Sequence, residues 1–149
     1  MTYAISAQTL FDGDQFLTDH SVVIENEEVL CVIPSDQVSK DIKRHILTPG
    51  ILAPGFIDIQ VNGGGGVMLN NAPCRESVDS ISAGHLPTGT TGMLPTLISD
   101  SEEVQRAGVE AVRLARANGN RSILGIHLEG PFLELEKRGT HKASMIRKM

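Results

Sequence analysis

The sequence has no tryptophan, one tyrosine and four phenylalanines, 3% aromatic residues in all, so the volume of any core must come from Ile, Leu and Val. Cysteine is also scarce. Cys31 and Cys74 make no CxxC pair and match no zinc spacing, which excludes a disulfide framework and leaves two reduced thiols. Positive charge is in deficit, 13 Lys and Arg against 18 Asp and Glu for a net charge of -5. A nucleic-acid partner would call for a clustered excess of the opposite sign, so none is expected. No run approaches the ~20 apolar residues of a membrane span. The opening MTYAISAQTLFDGDQF lacks the basic start and continuous apolar stretch of a signal peptide. The expected location is cytoplasmic, with no membrane partner.

What the chain does contain is ordinary globular material, 149 residues at 40% hydrophobic and 21% charged, enough to bury a core without staples. The first fifty residues read as β. Short segments rich in Val, Ile and Leu near Tyr3–Leu10, Ser21–Ile24 and Glu28–Ile33 are separated by turn formers. Asp12-Gly13-Asp14 is a hairpin signal; Asn26-Glu27 is weaker, because no glycine follows the asparagine. A meander results, with a further strand expected near His45–Leu47.

At Thr48 the pattern changes. Pro49-Gly50 and Pro54-Gly55 lead into an apolar strand, Phe56–Val61, followed by four glycines, Gly63 to Gly66. A helix is expected over Ser77–Gly84, ended by Pro87. A strand over Gly92–Ile98 follows, with Pro95 as a blemish. Ser99-Asp100-Ser101 offer capping residues for a helix over Glu102–Asn118, with Glu102 and Glu103 in its first turn. Val104, Ala107, Ala111, Leu114 and Ala115 are spaced for one helix face, and Asn118-Gly119 closes it. Ile123–Leu128 is a third apolar strand, ending in Glu129-Gly130-Pro131. Strands alternating with helices imply a parallel sheet with right-handed crossovers. Counting cannot separate a doubly wound sheet from a barrel.

In parallel α/β proteins the reactive groups sit at the carboxyl ends of strands, and three places qualify. Asp58, Gln60 and Asn62 alternate to one side of the first strand; they are either site residues or hydrogen-bonded strand-end groups. Gly63–Gly66 could cradle a phosphate through backbone N–H groups, but the run fits no P-loop and reads more simply as turn glycine. His127 and Glu129 lie two apart on the third strand; Glu129 is a candidate metal ligand or general base, or a solvated surface charge. His141, in the polar loop Lys137–His141, is a hydrogen-bond donor to a substrate carbonyl or an exposed spectator. His20, His45 and His85 stand among connectors and read as bland.

The segments APGFIDIQVNGGGG, TGMLPTLI, LGIHLEGPF and KRGTH, in that order, resemble the N-acetylglucosamine-6-phosphate deacetylases of the amidohydrolase superfamily. The resemblance spans the whole chain. It implies an α/β fold, the N-terminal portion of a metal-dependent (β/α)8 TIM-type barrel preceded by a small β-sandwich segment. Residues 1–50 would form the sandwich segment and 51–149 the first three β/α units of an incomplete barrel. The implied reaction, in amino-sugar catabolism, is hydrolysis of the acetamide of the phosphosugar to glucosamine 6-phosphate and acetate. By motif, Glu129 is implied as the metal ligand and Thr140 and His141 as substrate contacts, His141 being catalytic by polarising the acetyl carbonyl. Gln60 and Asn62 stand where many amidohydrolases carry His-x-His. Neutral amides are poor zinc ligands beside imidazole, so one divalent ion, Zn, is expected rather than two.

Three further implications follow. Pro87 falls where the first barrel helix should continue. The family runs to well over twice this length as a homodimer, with its remaining metal-binding histidines, catalytic aspartate and phosphate-binding residues beyond residue 149. This chain alone is therefore expected to be inactive and poorly folded or aggregating, as a truncated product or fragment. Competing readings are an N-acetylgalactosamine-6-phosphate deacetylase, a dihydropyrimidinase-like or dihydroorotase-like cyclic amidase, and a non-enzymatic remnant.

Overall fold

The computed structural model describes residues 1–148, with Thr48 described by its backbone alone. The chain divides into two compact units, Met1–Pro54 and Gly55 onward.

In the first unit, β1 (Thr2–Phe11), β2 (Phe16–Glu25), β3 (Glu28–Pro34) and β4 (Lys43–Leu52) form one four-stranded sheet in the order β3-β2-β1-β4. The first three strands are the antiparallel meander that the turn signals predict. Asn26 and Glu27 both take positive φ, 51° and 72°, so this glycine-free pair makes the tight turn of a two-residue hairpin. The fourth strand departs from a meander, because β4 returns to pair parallel with β1. It also runs five residues past the expected Leu47. Between the pairs Ala7–Leu47 and Thr9–Ile51 the register slips, and the slip absorbs Pro49, which has no N–H to give a ladder. Proline and glycine thus mark a bulge here, not a strand end. Where a sandwich segment is expected, the described residues form this single layer, with Ala4, Val23 and Val38 buried on it.

The second unit is a three-stranded parallel sheet in the order β5-β8-β9, made of β5 (Phe56–Val61), β8 (Thr90–Ile98) and β9 (His127–Glu129). A short hairpin, β6 (Gly63–Gly64) with β7 (Val67–Met68), follows β5. Helices α1 (Arg75–His85) and α2 (Glu102–Ala117) connect the strands. This is the alternation read from the sequence, as an open sheet with two helices; no closed barrel exists among the described residues. The core joins sheet to helices through Leu69, Ile81, Met93 and Leu97, each at most 1% exposed. Full burial of such a side chain contributes ~1.5–3 kcal/mol.

Two local expectations hold: Pro87 follows the end of α1, in a single 3-10 turn, Leu86–Thr88, and Pro95 lies inside the central strand, where the ladder with β5 slips between Asp58 and the Val61–Pro95 pair. Two others are corrected. The third strand is three residues long, not six: Ile123 makes an isolated bridge to Met93 and regular pairing resumes only at His127. On α2 the buried residues are Gly108, Ala111, Val112 and Ala115, while Leu114 is 36% exposed. Hydrophobic counting passes over Gly108, and with it the true direction of the buried face.

Gly64 and Gly65 of the glycine run are explained by packing against α1. A Cβ added at Gly64 would lie 2.7 Å from the His85 ring, one at Gly65 2.4 Å from the Ser80 carbonyl oxygen, and one at Gly84 2.5 Å from the Gly65 nitrogen. Hairpin backbone and helix α1 backbone therefore meet with no side chain between them. His85 Nε2 also lies 2.9 Å from the Gly63 carbonyl oxygen, so this histidine pins the hairpin that follows β5.

Candidate functional site at the carboxyl end of the parallel sheet

The ends of β5, β8 and β9 bring together residues far apart in sequence. Glu129 closes β9 with its side chain one-third exposed. Its Oε2 accepts a 3.0 Å hydrogen bond from Gln60 Nε2, and its Oε1 lies 3.2 Å from His141 Nε2. Since β8 lies between β5 and β9 and neighbouring strands are ~4.8 Å apart, Gln60 and Glu129 bridge two strand spacings with their full side-chain lengths.

His141 is 5% exposed, so the exposed-spectator alternative for it is overturned. The loop is polar and exposed around it, but the imidazole turns inward and its Nδ1 meets Ser99 twice. The Ser99 backbone N–H donates to Nδ1 over 3.2 Å, and the Ser99 hydroxyl lies 2.9 Å from the same nitrogen. The series Ser99–His141–Glu129 has the composition of a nucleophile, base and orienter. Ser99 is only 3% exposed, however, and a nucleophile must reach substrate, so its role is to hold the ring.

The remaining predicted residues are placed less centrally. Asn62 is half-buried, and its carbonyl accepts from the Leu69 N–H at the base of the glycine hairpin. Thr140 is exposed. Asp58 accepts from the Gln60 backbone N–H within its own strand, 3.0 Å away, and takes no part in the cluster. His127 sits over Thr96, with its Nδ1 3.3 Å from the hydroxyl.

Three contributors escape sequence reasoning. Ser99 is read there only as a capping residue; in the structure Ser101 caps α2, its hydroxyl accepting from the Val104 N–H at 3.3 Å, and Ser99 serves His141. Asn70 Oδ1 accepts from the Ile98 N–H at 3.0 Å, and its Nδ2 donates to the Ile98 carbonyl at 3.2 Å and to Asp100 Oδ2 at 2.9 Å. It substitutes for a missing strand at the end of β8. The third is Gly130, at φ 91°, where a Cβ would lie 2.1 Å from the Ser99 hydroxyl. The available signal was position, since all three adjoin a strand end.

Glu129 is the only carboxylate in this hydrogen-bonded set. A protein zinc site normally takes three protein ligands, and no group of three or more His, Cys, Asp or Glu that could hold a metal occurs among the described residues. The donors present among the described residues therefore do not make a whole metal site. A hollow of about 520 Å³ lies apart from it, lined by residues that include Phe132, Leu133, Leu135 and Ile146, without Glu129 or His141. Among the described residues, no helix is long and apolar enough to cross a membrane.

Comparison with known proteins gives a consistent set of matches. The family model described as the NagA composite domain matches residues 2–51. The chain is 39% identical, over 99% of its length, to an N-acetylgalactosamine-6-phosphate deacetylase of Shewanella sp. (strain ANA-3). It is 34% identical over its whole length to an N-acetylglucosamine-6-phosphate deacetylase of Haemophilus influenzae. It covers 38% and 39% of those two proteins, about two fifths of the relatives it matches. The crystal structure of the N-acetylglucosamine-6-phosphate deacetylase from Pasteurella multocida superposes on all of this chain with a TM-score of 0.94 at 30% identity, the chain covering 39% of it.

Proposed function

For a chain that corresponds end to end to the N-terminal portion of the N-acetylglucosamine-6-phosphate deacetylases, we propose a part in the hydrolysis of the acetamide of N-acetylglucosamine 6-phosphate to glucosamine 6-phosphate and acetate. The observation that carries this reading is the convergence of Gln60, Glu129 and His141 at the carboxyl end of the sheet. In this reading the three parallel strands are the opening strands of a (β/α)8 barrel, and the rest of the barrel lies outside these residues.

Each residue has a stated task. Glu129 supplies one ligand to a single divalent ion, Zn, whose other ligands come from outside these residues. The ion, when bound, supplies an acidified water. Gln60 stands where a second-metal ligand would be and instead orients the Glu129 carboxylate. His141 directs an N–H toward the acetyl carbonyl, where preorganised donors stabilise developing negative charge. Thr140 and Asn62, beside those groups in sequence, contact the sugar. The partner is a small phosphosugar, and the complete protein acts as a cytoplasmic homodimer.

A second substrate is favoured by a specific observation, the 39% identity to a deacetylase of the galactosamine isomer. Acetate release and metal content, measured on the protein extended to the length of its relatives, test both. Activity on either phosphosugar is expected, with Glu129→Gln losing both metal and turnover. Full metal and full activity in that variant would remove Glu129 from the ion; turnover of a cyclic amide and of neither phosphosugar would replace the reaction.

A further inference from the structure

We infer that Ser99 is a positioning residue that fixes the ring of His141 with its proton on Nε2, and that the missing side chain of Gly130, whose φ of 91° itself favours glycine, leaves room for it. The functional use of this device rests on the deacetylase reading; the device itself rests on geometry alone. A backbone N–H can only donate, so the Ser99 N–H, 3.2 Å from His141 Nδ1, requires a bare lone pair on that nitrogen. The hydroxyl, 2.9 Å from the same atom, must then donate as well. With Nδ1 the acceptor, the proton of the neutral ring resides on Nε2, which faces Glu129 Oε1. Two donors from one residue thus set which edge of the imidazole offers hydrogen to the site, and burial of both partners keeps water from competing.

Gly130 completes the device from the other side. It directly follows Glu129, and its missing side chain would occupy the Ser99 hydroxyl position, 2.1 Å away. That same point is 3.4 Å from the Ser99 Cβ, ordinary contact, so the conflict is with the hydroxyl oxygen alone. Ligand strand and histidine seat are therefore coupled through one absent methyl group.

The test is long-range proton–nitrogen spectroscopy of the chain with 15N-labelled histidine, run on the 149-residue form and on the form extended to family length. His141 is assigned by its loss in His141→Asn. The expected result is an unprotonated Nδ1 and a protonated Nε2. A protonated Nδ1 in wild type overturns the proposal whatever reaction the protein performs. Ser99→Ala, which keeps the backbone donor, is expected to mix the two ring forms, with Ser99→Thr restoring one. In the extended protein Ser99→Ala should lower kcat roughly tenfold, the equivalent of one hydrogen bond, with KM little changed, and Ser99→Thr should recover it. An unmixed ring together with unchanged kcat in Ser99→Ala would likewise overturn the hydroxyl's role. The destabilisation caused by Gly130→Ala should be smaller in the Ser99→Ala background than in wild type; equal losses would separate Gly130 from Ser99. If the ring form is as stated and no phosphosugar is turned over, the reaction is wrong and the positioning stands.

Discussion

Replacing Gly84 with alanine sets two effects against each other. Gly84 lies within α1, where alanine is favoured over glycine by ~1 kcal/mol. A survey of helix propensity would recommend the change. The new Cβ, however, would lie 2.5 Å from the nitrogen and 2.9 Å from the Cα of Gly65. These are backbone atoms and cannot swing aside as a side-chain tip would. Ordinary contact needs about 1 Å more, so the helix and the glycine hairpin must separate. Overpacking of this kind costs ~1–3 kcal/mol, and a backbone obstacle belongs at the upper end. The clash should prevail by about 1–2 kcal/mol. In a domain of this size each kcal/mol corresponds to a midpoint shift of roughly 4–8 °C. Urea unfolding followed by circular dichroism gives the free energy directly, and the thermal midpoint should fall in step. A Gly84→Ala protein as stable as wild type, or more so, would mean that the hairpin yields freely, and would refute the packing account of the glycine run.

Further outcomes follow from the same contacts. Gly108→Ala in α2 drives a Cβ to 2.2 Å from Leu97 Cδ1; with Leu97 1% exposed, a net loss of ~1 kcal/mol is expected after the propensity gain. Leu97→Ala should abolish that penalty in a double-mutant cycle by chemical denaturation, and a penalty that persists would place the strain elsewhere. Hydrogen bonds from Arg106 and Arg113 hold the Glu102 and Glu110 carboxyls below the ordinary glutamate range. A lowered folded-state pKa means that this support is present above the ordinary glutamate value and disappears as pH falls through the lowered values. The stability difference between wild type and Glu102→Gln/Glu110→Gln should therefore be largest near neutral pH and close on acidification and with added salt; a gap that widens in acid would reverse the sign.

Much of the second unit could be read in advance because its signals are local. Ser101 and the two glutamates after it start α2, Asn118 and Gly119 stop it, and the apolar runs at Phe56 and Gly92 become strands. The end of β4 is misplaced for one reason. Pro49 looks like a strand breaker, yet it sits at a register slip, as Pro95 does inside its strand, and a slip depends on a partner strand that a linear reading does not see. The parallel return of β4 onto β1 is likewise a long-range choice. At the site, Glu129 and His141 came from motif resemblance. Spacing alone left each of them balanced against an ordinary surface role, because the contact that seats His141, with Ser99, comes from 42 residues earlier. Ser99 and Gly130 matter through a steric relation between two loops, which no single-residue signal encodes.

The chain of hydrogen bonds from Gln60 through Glu129 and His141 to Ser99 joins partners 69, 12 and 42 positions apart. The Gln60–Glu129 and His141–Ser99 links join separate strand ends, and the complete series needs all three strands in register. Loops that long are entropically slow to close, so the cluster should be among the last features to appear during folding. A spectroscopic label on the His141 ring would then act as a clock for completion of the sheet, silent while the helices form and reporting only when the outer strands have both docked.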